Sequence, residues 1–381
     1  MKAGSGGGAT AAGTIETIMH SPLSEGDLVG GRKKVFSTAR KTCFALLTCV
    51  LAISGLEFIL EGLPVLWREE FRYNFKLDPA QPWCGRSTIY FWWLRPFEET
   101  TGVTGTSIPM GINAQHFRRA GLVADPKPEG RLRVVCMGDA VTFGWHLPPE
   151  DSYPAILERL LRERALGDIE VVNAGVPGYS SLQGLRFLRM EVTGLDPDIV
   201  LAHFGASDNT RAIVPDQARA KLLQLSDWFE RLATFRVLET LTVRVRERLP
   251  DAIIRKLRRT AIRVDLESYV ANLSSMVQWS QMERFKLIAI PPIGPAETGF
   301  RVLCPPASKR ASGSRARARL EELWRLGPPI ELSGALRSCG IPLERLHLPD
   351  EPGQLSREGN RVLAEEIFRA LAEAGWIRLK P

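Results

Sequence analysis

The chain has 381 residues, enough for one large domain or two ordinary ones, and its 24% charged and 44% hydrophobic content is an ordinary globular balance. Its 50 Lys and Arg against 43 Asp and Glu give a net charge of +7, which suits an anionic partner such as a membrane surface or an acidic glycan. No zinc-ligand spacing, Walker loop or RNA-binding signature accompanies that charge, so neither a metal site nor a nucleic-acid partner is expected.

Residues 1–41 read as a disordered, basic cytoplasmic tail, Gly- and Ala-rich at first and closing on Arg32, Lys33, Lys34, Arg40 and Lys41. The apolar run Thr42–Leu60 follows, "TCFALLTCVLAISGLEFIL", about long enough to cross a hydrocarbon core. Positive charges directly before it, and no small-residue cleavage site after it, favour an uncleaved transmembrane signal-anchor over 42–63. Positive-inside then sets the main domain outside the cytoplasm, in a periplasm or at the cell surface. Residues 64–130 are expected to form a juxtamembrane segment. Within it Trp92 and Trp93 sit either at the membrane interface or under the main domain, and sequence does not choose.

From Arg131 onward short apolar strands alternate with helices. Strands are predicted at Leu132–Met137, Ile169–Val172, Ile199–His203, Leu287–Ile290 and Leu343–Leu348; helices at Tyr153–Glu163, Leu182–Val192, Leu266–Met282 and Arg357–Ala374. That alternation predicts an α/β domain over 131–381, its parallel sheet covered by helices on both faces. A basic helical insertion spans 217–263. Of six cysteines, Cys136 falls in a predicted core strand, and a Cys304–Cys339 bridge is possible in an oxidising compartment.

Ligand sites in such sheets lie at the carboxyl ends of the strands. There the chain carries "GDAVTFG" (Gly138–Gly144), "NAGVPGYSS" (Asn173–Ser181), "HFGASDN" (His203–Asn209) and, before the last helix, "DEPGQLSREG". This ordered set resembles the SGNH/GDSL hydrolase family. The resemblance implies a flavodoxin-like three-layer α/β/α fold with a five-stranded parallel sheet, here preceded by one transmembrane helix. It also implies ester hydrolysis by a serine in GDSxTxG, an oxyanion glycine, an asparagine in GxND and a DxxH pair, without a cofactor.

Carried over residue by residue, the frame is kept and the chemistry is lost. The nucleophile position holds Ala140, the histidine position Gln354 and the aspartate position Glu351, or Asp350 one residue out of register. The asparagine position holds Ser207. Asp139, Gly178 and Asp208 are retained as oxyanion or ligand-binding residues. Neither alanine nor glutamine serves as nucleophile or base at neutral pH. The reading is a membrane-anchored binding or scaffolding protein, its ligand an acylated glycan or a small ester or acyl group. Membrane-anchored members of the family are associated with acetyl groups on surface polysaccharides. Two alternatives stay open: an active esterase or acetyl-transferring enzyme using Ser180 or Ser181 with His347, or with Ser207 in their place, and a structural subunit docked to a membrane-protein partner through the basic insertion.

Overall fold

The computed structural model describes residues 42–43, 45, 47–49, 51–52, 54–55, 84–87, 89–96, 108–212, 215–226, 261–292, 311–330, 332–349 and 351–381. The chain divides into two units, Met1–Gly62 and Leu63–Pro381. In the first, the described residues of the Thr42–Leu60 run are helical and exposed. Among the described residues no helix is long and apolar enough to cross a membrane.

Among its described residues, the second unit's first element is a hairpin, β1 (Cys84–Ser87) and β2 (Phe91–Leu94). The first sheet strand, β3 (Leu132–Gly138), leads into a one-turn helix, α1 (Ala140–Phe143), and then α2 (Tyr153–Arg164). Next come β4 (Ile169–Gly175), α3 (Ser181–Phe187, prolonged by a π turn to Val192) and β5 (Ile199–His203). β6 (Arg211–Ala212), α4 (Asp216–Ser226) and β7 (Ala261–Ile262) bracket the insertion; β6 and β7 pair antiparallel at its neck. Then follow α5 (Leu266–Glu283), β8 (Lys286–Ala289) and α6 (Ala311–Trp324). The chain ends with α7 (Leu332–Ser338), α8 (Leu343–Leu346), β9 (His347–Leu348), β10 (Glu351–Leu355) and α9 (Arg357–Glu373).

The main sheet runs β4-β3-β5-β8, every neighbouring pair parallel. Its strands are apolar on both faces, as a doubly covered sheet requires. Val135, Met137, Val172, Ala174, Val200 and Ala202 point into one core layer, with Leu273 and Met276 of α5 and Leu320 of α6. Val134, Cys136, Val171, Ile199 and Leu201 point into the other, with Leu157 and Leu161 of α2 and Leu363 and Ile367 of α9. The period-two alternation thus feeds two cores and makes the three layers.

The fifth predicted strand is corrected. Leu343–Leu348 splits into α8 and the short β9, which pairs antiparallel with β10 rather than joining the sheet. Leu343 and Leu346 lie one helical turn apart and Leu346 is fully buried, a spacing that serves a helix turn as readily as a strand. The described sheet therefore has four strands.

The described part of the segment expected as juxtamembrane packs on the main domain, one of the two placements left open for its tryptophans. Tyr90, Phe91, Trp92 and Leu94 are buried in the first core layer beside Ile112, Phe117 and Val123. Trp92 packs edge-on against Tyr179, with centroids 5.7 Å apart, so it lies under the domain; Trp93 stays partly exposed against the His116 ring. The domain thus begins well before Arg131.

Candidate active site

β3 is the central strand from which the chain winds first to β4 and then across to β5, so its carboxyl end is the topological switch point. Two glycines there let α1 fold back onto the strand ends. A Cβ on Gly138 would stand 2.1 Å from Thr142 Oγ1 and 2.4 Å from the His203 carbonyl oxygen; one on Gly175 would stand 2.4 Å from the Phe143 nitrogen. Asp139 caps the helix, its Oδ1 accepting from the Val141 amide at 3.1 Å. Its Oδ2 accepts the Ser207 amide at 3.3 Å and the Ser207 hydroxyl at 3.4 Å. Burial pushes the Asp139 carboxyl up to about 6, against the hydrogen bonds from Val141 and Ser207. Ala140, half-buried, begins the helix with a methyl group and nothing to ionise.

A residue that sequence reasoning missed holds this loop from behind. Arg118 is buried and donates to the carbonyls of Phe143, of Gly144 at 2.7 Å, of Leu147 at 2.5 Å and of Met110 at 3.1 Å. Its guanidinium lies 4.2 Å from the Phe143 ring centroid, and burial lowers its pKa to about 9. It stands in "HFRRAG", inside the segment expected to be juxtamembrane.

The second loop turns at Gly178, whose φ of 79° favours glycine. Ser180 then caps α3 in a capping box with Gln183. Ser180 and Ser181 are fully buried. Ser180 Oγ donates to Asp216 Oδ2 at 2.6 Å; Ser181 Oγ donates to Asp208 Oδ1 at 2.5 Å and accepts from Asn272 at 2.9 Å. Both hydroxyls are committed to buried carboxylates. Asp208 is itself buried, and desolvation lifts its carboxyl to about 7 against the Ser181 hydrogen bonds. Ser207 alone of the three serines is partly exposed.

In the C-terminal block β10 packs against α1, which brings the Gln354 strand to the Ala140 helix. Gln354 is half-buried, and its Oε1 is sequestered without a hydrogen-bond partner. Glu351 pairs with Leu348 through the backbone and His347 sits opposite Leu355; Asp350 lies outside the described residues. His203, buried at the end of β5 beside Tyr153, is held neutral, its pKa lowered to about 4 by burial. Among the described residues, no group of three or more His, Cys, Asp or Glu side chains is placed to hold a metal ion. At the strand ends the chain thus presents a methyl group at Ala140, an amide at Gln354 and the partly exposed Ser207 hydroxyl, tied to Asp139.

The GDSL-like lipase/acylhydrolase family model matches residues 136–323. The chain is 29% identical over 93 residues to an arylesterase of Vibrio mimicus, an alignment covering 24% of this chain and 46% of that protein. It is 29% identical over 92 residues to the thioesterase 1/protease 1/lysophospholipase L1 of Escherichia coli, covering 24% of this chain and 42% of that protein. The chain thus spans less than half the length of the curated relatives it matches. Among solved structures, a lipase/acylhydrolase from Enterococcus faecalis is similar at 19% identity and a TM-score of 0.42, covering 66% of this chain and 99% of that one. An acetylxylan esterase from Geobacillus stearothermophilus is similar at 17% identity and a TM-score of 0.39, covering 63% of this chain and 94% of that one. Residues 136–323, with the blocks at Gly138, Gly178 and Ser207, are thus similar to the GDSL-like lipase/acylhydrolase family.

Proposed function

We propose that this chain is a binding member of the family, which holds an acyl, carbonyl or carboxylate group without cleaving it. One observation carries the reading. Helix α1 opens on Ala140 while the parts around it persist: the Asp139 cap, the Asp139–Ser207 tie and the left-handed Gly178 turn. A cradle of this kind stabilises a polarised oxygen with or without a nucleophile. Without nucleophile and base, turnover in serine hydrolases falls on the order of 10⁶-fold. The ligand class we favour is the acyl or acetyl group of an envelope glycan, presented to a domain tethered through Thr42–Leu60. The basic residues flanking that run and the net charge of +7 support the tether. The purified chain should bind a short acyl ester or carboxylate saturably and release no acid. Release that disappears on a single substitution would refute the reading.

A second reading rests on Ser207. The curated relatives are named as ester hydrolases, and Ser207 presents a partly exposed hydroxyl 3.4 Å from a buried carboxylate. In that case Asp139 takes the hydroxyl proton and Ser207 Oγ attacks the ester carbonyl; the alcohol leaves with that proton, and water then hydrolyses the acyl-serine to free the acid and restore Ser207. Ser207→Ala would then abolish turnover, whereas in a binding protein it weakens affinity alone.

A further inference from the structure

The peptide planes on both sides of Gly178 are held by side chains that the family's blocks do not contain. Trp92, on β2 and outside the 136–323 match, donates its indole N–H to the Pro177 carbonyl at 3.2 Å. The Pro177–Gly178 peptide is planar, and in a trans peptide the N–H points opposite the carbonyl. Anchoring the Pro177 oxygen to the indole therefore aims the Gly178 N–H away from Trp92. Arg263 holds the next plane: its Nη1 donates to the Gly178 carbonyl at 2.5 Å, and its guanidinium lies 5.3 Å from the Trp92 ring centroid. Tyr179 closes the arrangement, its amide donating to Val176 O at 3.1 Å and its hydroxyl to Trp92 O at 2.7 Å.

Arg263 is itself fixed. It is fully buried, its Nε donates to Asp216 Oδ1 at 2.9 Å, and Nη2 reaches Gln183 Oε1. Its backbone is tied to the Ser207 loop: Arg263 N donates to Thr210 O at 2.9 Å and Val264 N to Asp208 O at 3.0 Å. Arg263 thus couples the Gly178 turn, through its side chain, to the Ser207 loop, through its backbone. Apolar packing would fill the same volume without burying a charge. What a guanidinium fork adds is direction.

We propose that Trp92 and Arg263 are positioning residues that aim the Gly178 N–H into the cradle. This rests on the cradle being the ligand site, and the test separates the two. The protein is labelled with ¹⁵N-glycine; the Gly178 amide shift and its hydrogen exchange are followed, and acetate is titrated as the probe. Trp92→Phe keeps an aromatic ring and deletes the N–H donor. We expect a displaced Gly178 resonance, exchange faster by about tenfold, and acetate binding weaker by ~5–10-fold, the scale of one lost hydrogen bond. The other glycine amides should hold their positions. Arg263→Lys, which keeps the charge and loses the fork, should move the same resonance and serves if Trp92→Phe does not fold. If acetate fails to bind the parent chain while Gly178 still responds, the cradle reading falls and the positioning role stands. A Gly178 amide with unchanged shift and exchange in a folded variant overturns the proposal.

Discussion

Ser181 donates both its hydroxyl, at 2.5 Å, and its backbone amide, at 2.9 Å, to Asp208 Oδ1. The contact stitches the start of α3 to the Ser207 loop, and it decides how a serine mutation here should be interpreted. Ser181→Ala is expected to destabilise the fold by about 2 kcal/mol, the worth of a buried hydrogen bond to a charged acceptor. Acetate affinity of the remaining folded protein should be nearly unchanged. Thermal unfolding and a binding titration on the same sample check this. Loss of binding without loss of stability would make Ser181 part of the ligand site.

The two buried carboxylates give stability a pH dependence of a particular sign. Burial raises Asp139 to about 6 and Asp208 to about 7, both above the usual aspartate value. The native state then holds protons that the unfolded chain has released. Their contribution is fully present below about pH 4, declines as pH rises through 6 and 7, and is flat above about pH 8. The total is on the order of a few kcal/mol. Asp208→Asn, which retains the acceptor oxygen, should flatten most of the slope between pH 5 and 7. Denaturant midpoints across that range measure it; a midpoint that rises with pH in the parent chain would contradict the assignment.

Much of this was legible from the chain, for identifiable reasons. The four strands of the sheet are legible as short apolar runs and helices α2, α5 and α9 by their helical apolar spacing, with α5 and α9 opening on the caps Asp265 and Ser356. Leu343–Leu348 carries too few apolar positions for its period to be told apart. The blocks at Gly138, Gly178 and Ser207 were visible because backbone constraints fix their glycines. The ties of Ser180 and Ser181 to Asp216 and Asp208 were not, because partners 36 and 27 residues away leave no local spacing. The hold of Arg118 on the Gly144 loop and the bond from Trp92 to Pro177 leave no local spacing for a related reason. The acceptors are main-chain carbonyls, which any sequence supplies.

Gly175 tests the close packing of α1 on the sheet. The three atoms nearest an added Cβ are Phe143 N at 2.4 Å, Thr142 C at 2.7 Å and Phe143 Cα at 2.9 Å, all backbone. No rotamer change relieves such a clash, so α1 must move. Gly175→Ala should cost about 3 kcal/mol, the upper end for overpacking, and should disturb acetate binding through displacement of Asp139. Gly194→Ala is the control, since an added Cβ there meets nothing within 4 Å and its φ lies outside the left-handed range. Equal effects at the two sites would mean that α1 is loosely seated.

The decisive experiment rebuilds the chemistry that the family pattern implies. Helix α1 carries Ala140, and strand β10, packed against it, carries Gln354. Ala140→Ser with Gln354→His, joined by Ser207→Asn and Glu351→Asp, supplies nucleophile, base, oxyanion donor and orienting carboxylate on the existing backbone. Measurable hydrolysis of a small acetyl ester is expected from the fourfold variant and none above buffer from the parent. The rate should remain well below that of an evolved esterase, because groups about 1 Å from productive geometry can lose on the order of 10²-fold. Removing Trp92's donor from the active variant should lower kcat more than it raises KM, since an oxyanion donor acts mainly in the transition state. Turnover by the parent chain that vanishes with Ser207→Ala would instead establish the Ser207–Asp139 reading. Hydrolysis by the fourfold variant that persists when its new serine is changed back to alanine would show that the rate comes from elsewhere on the surface.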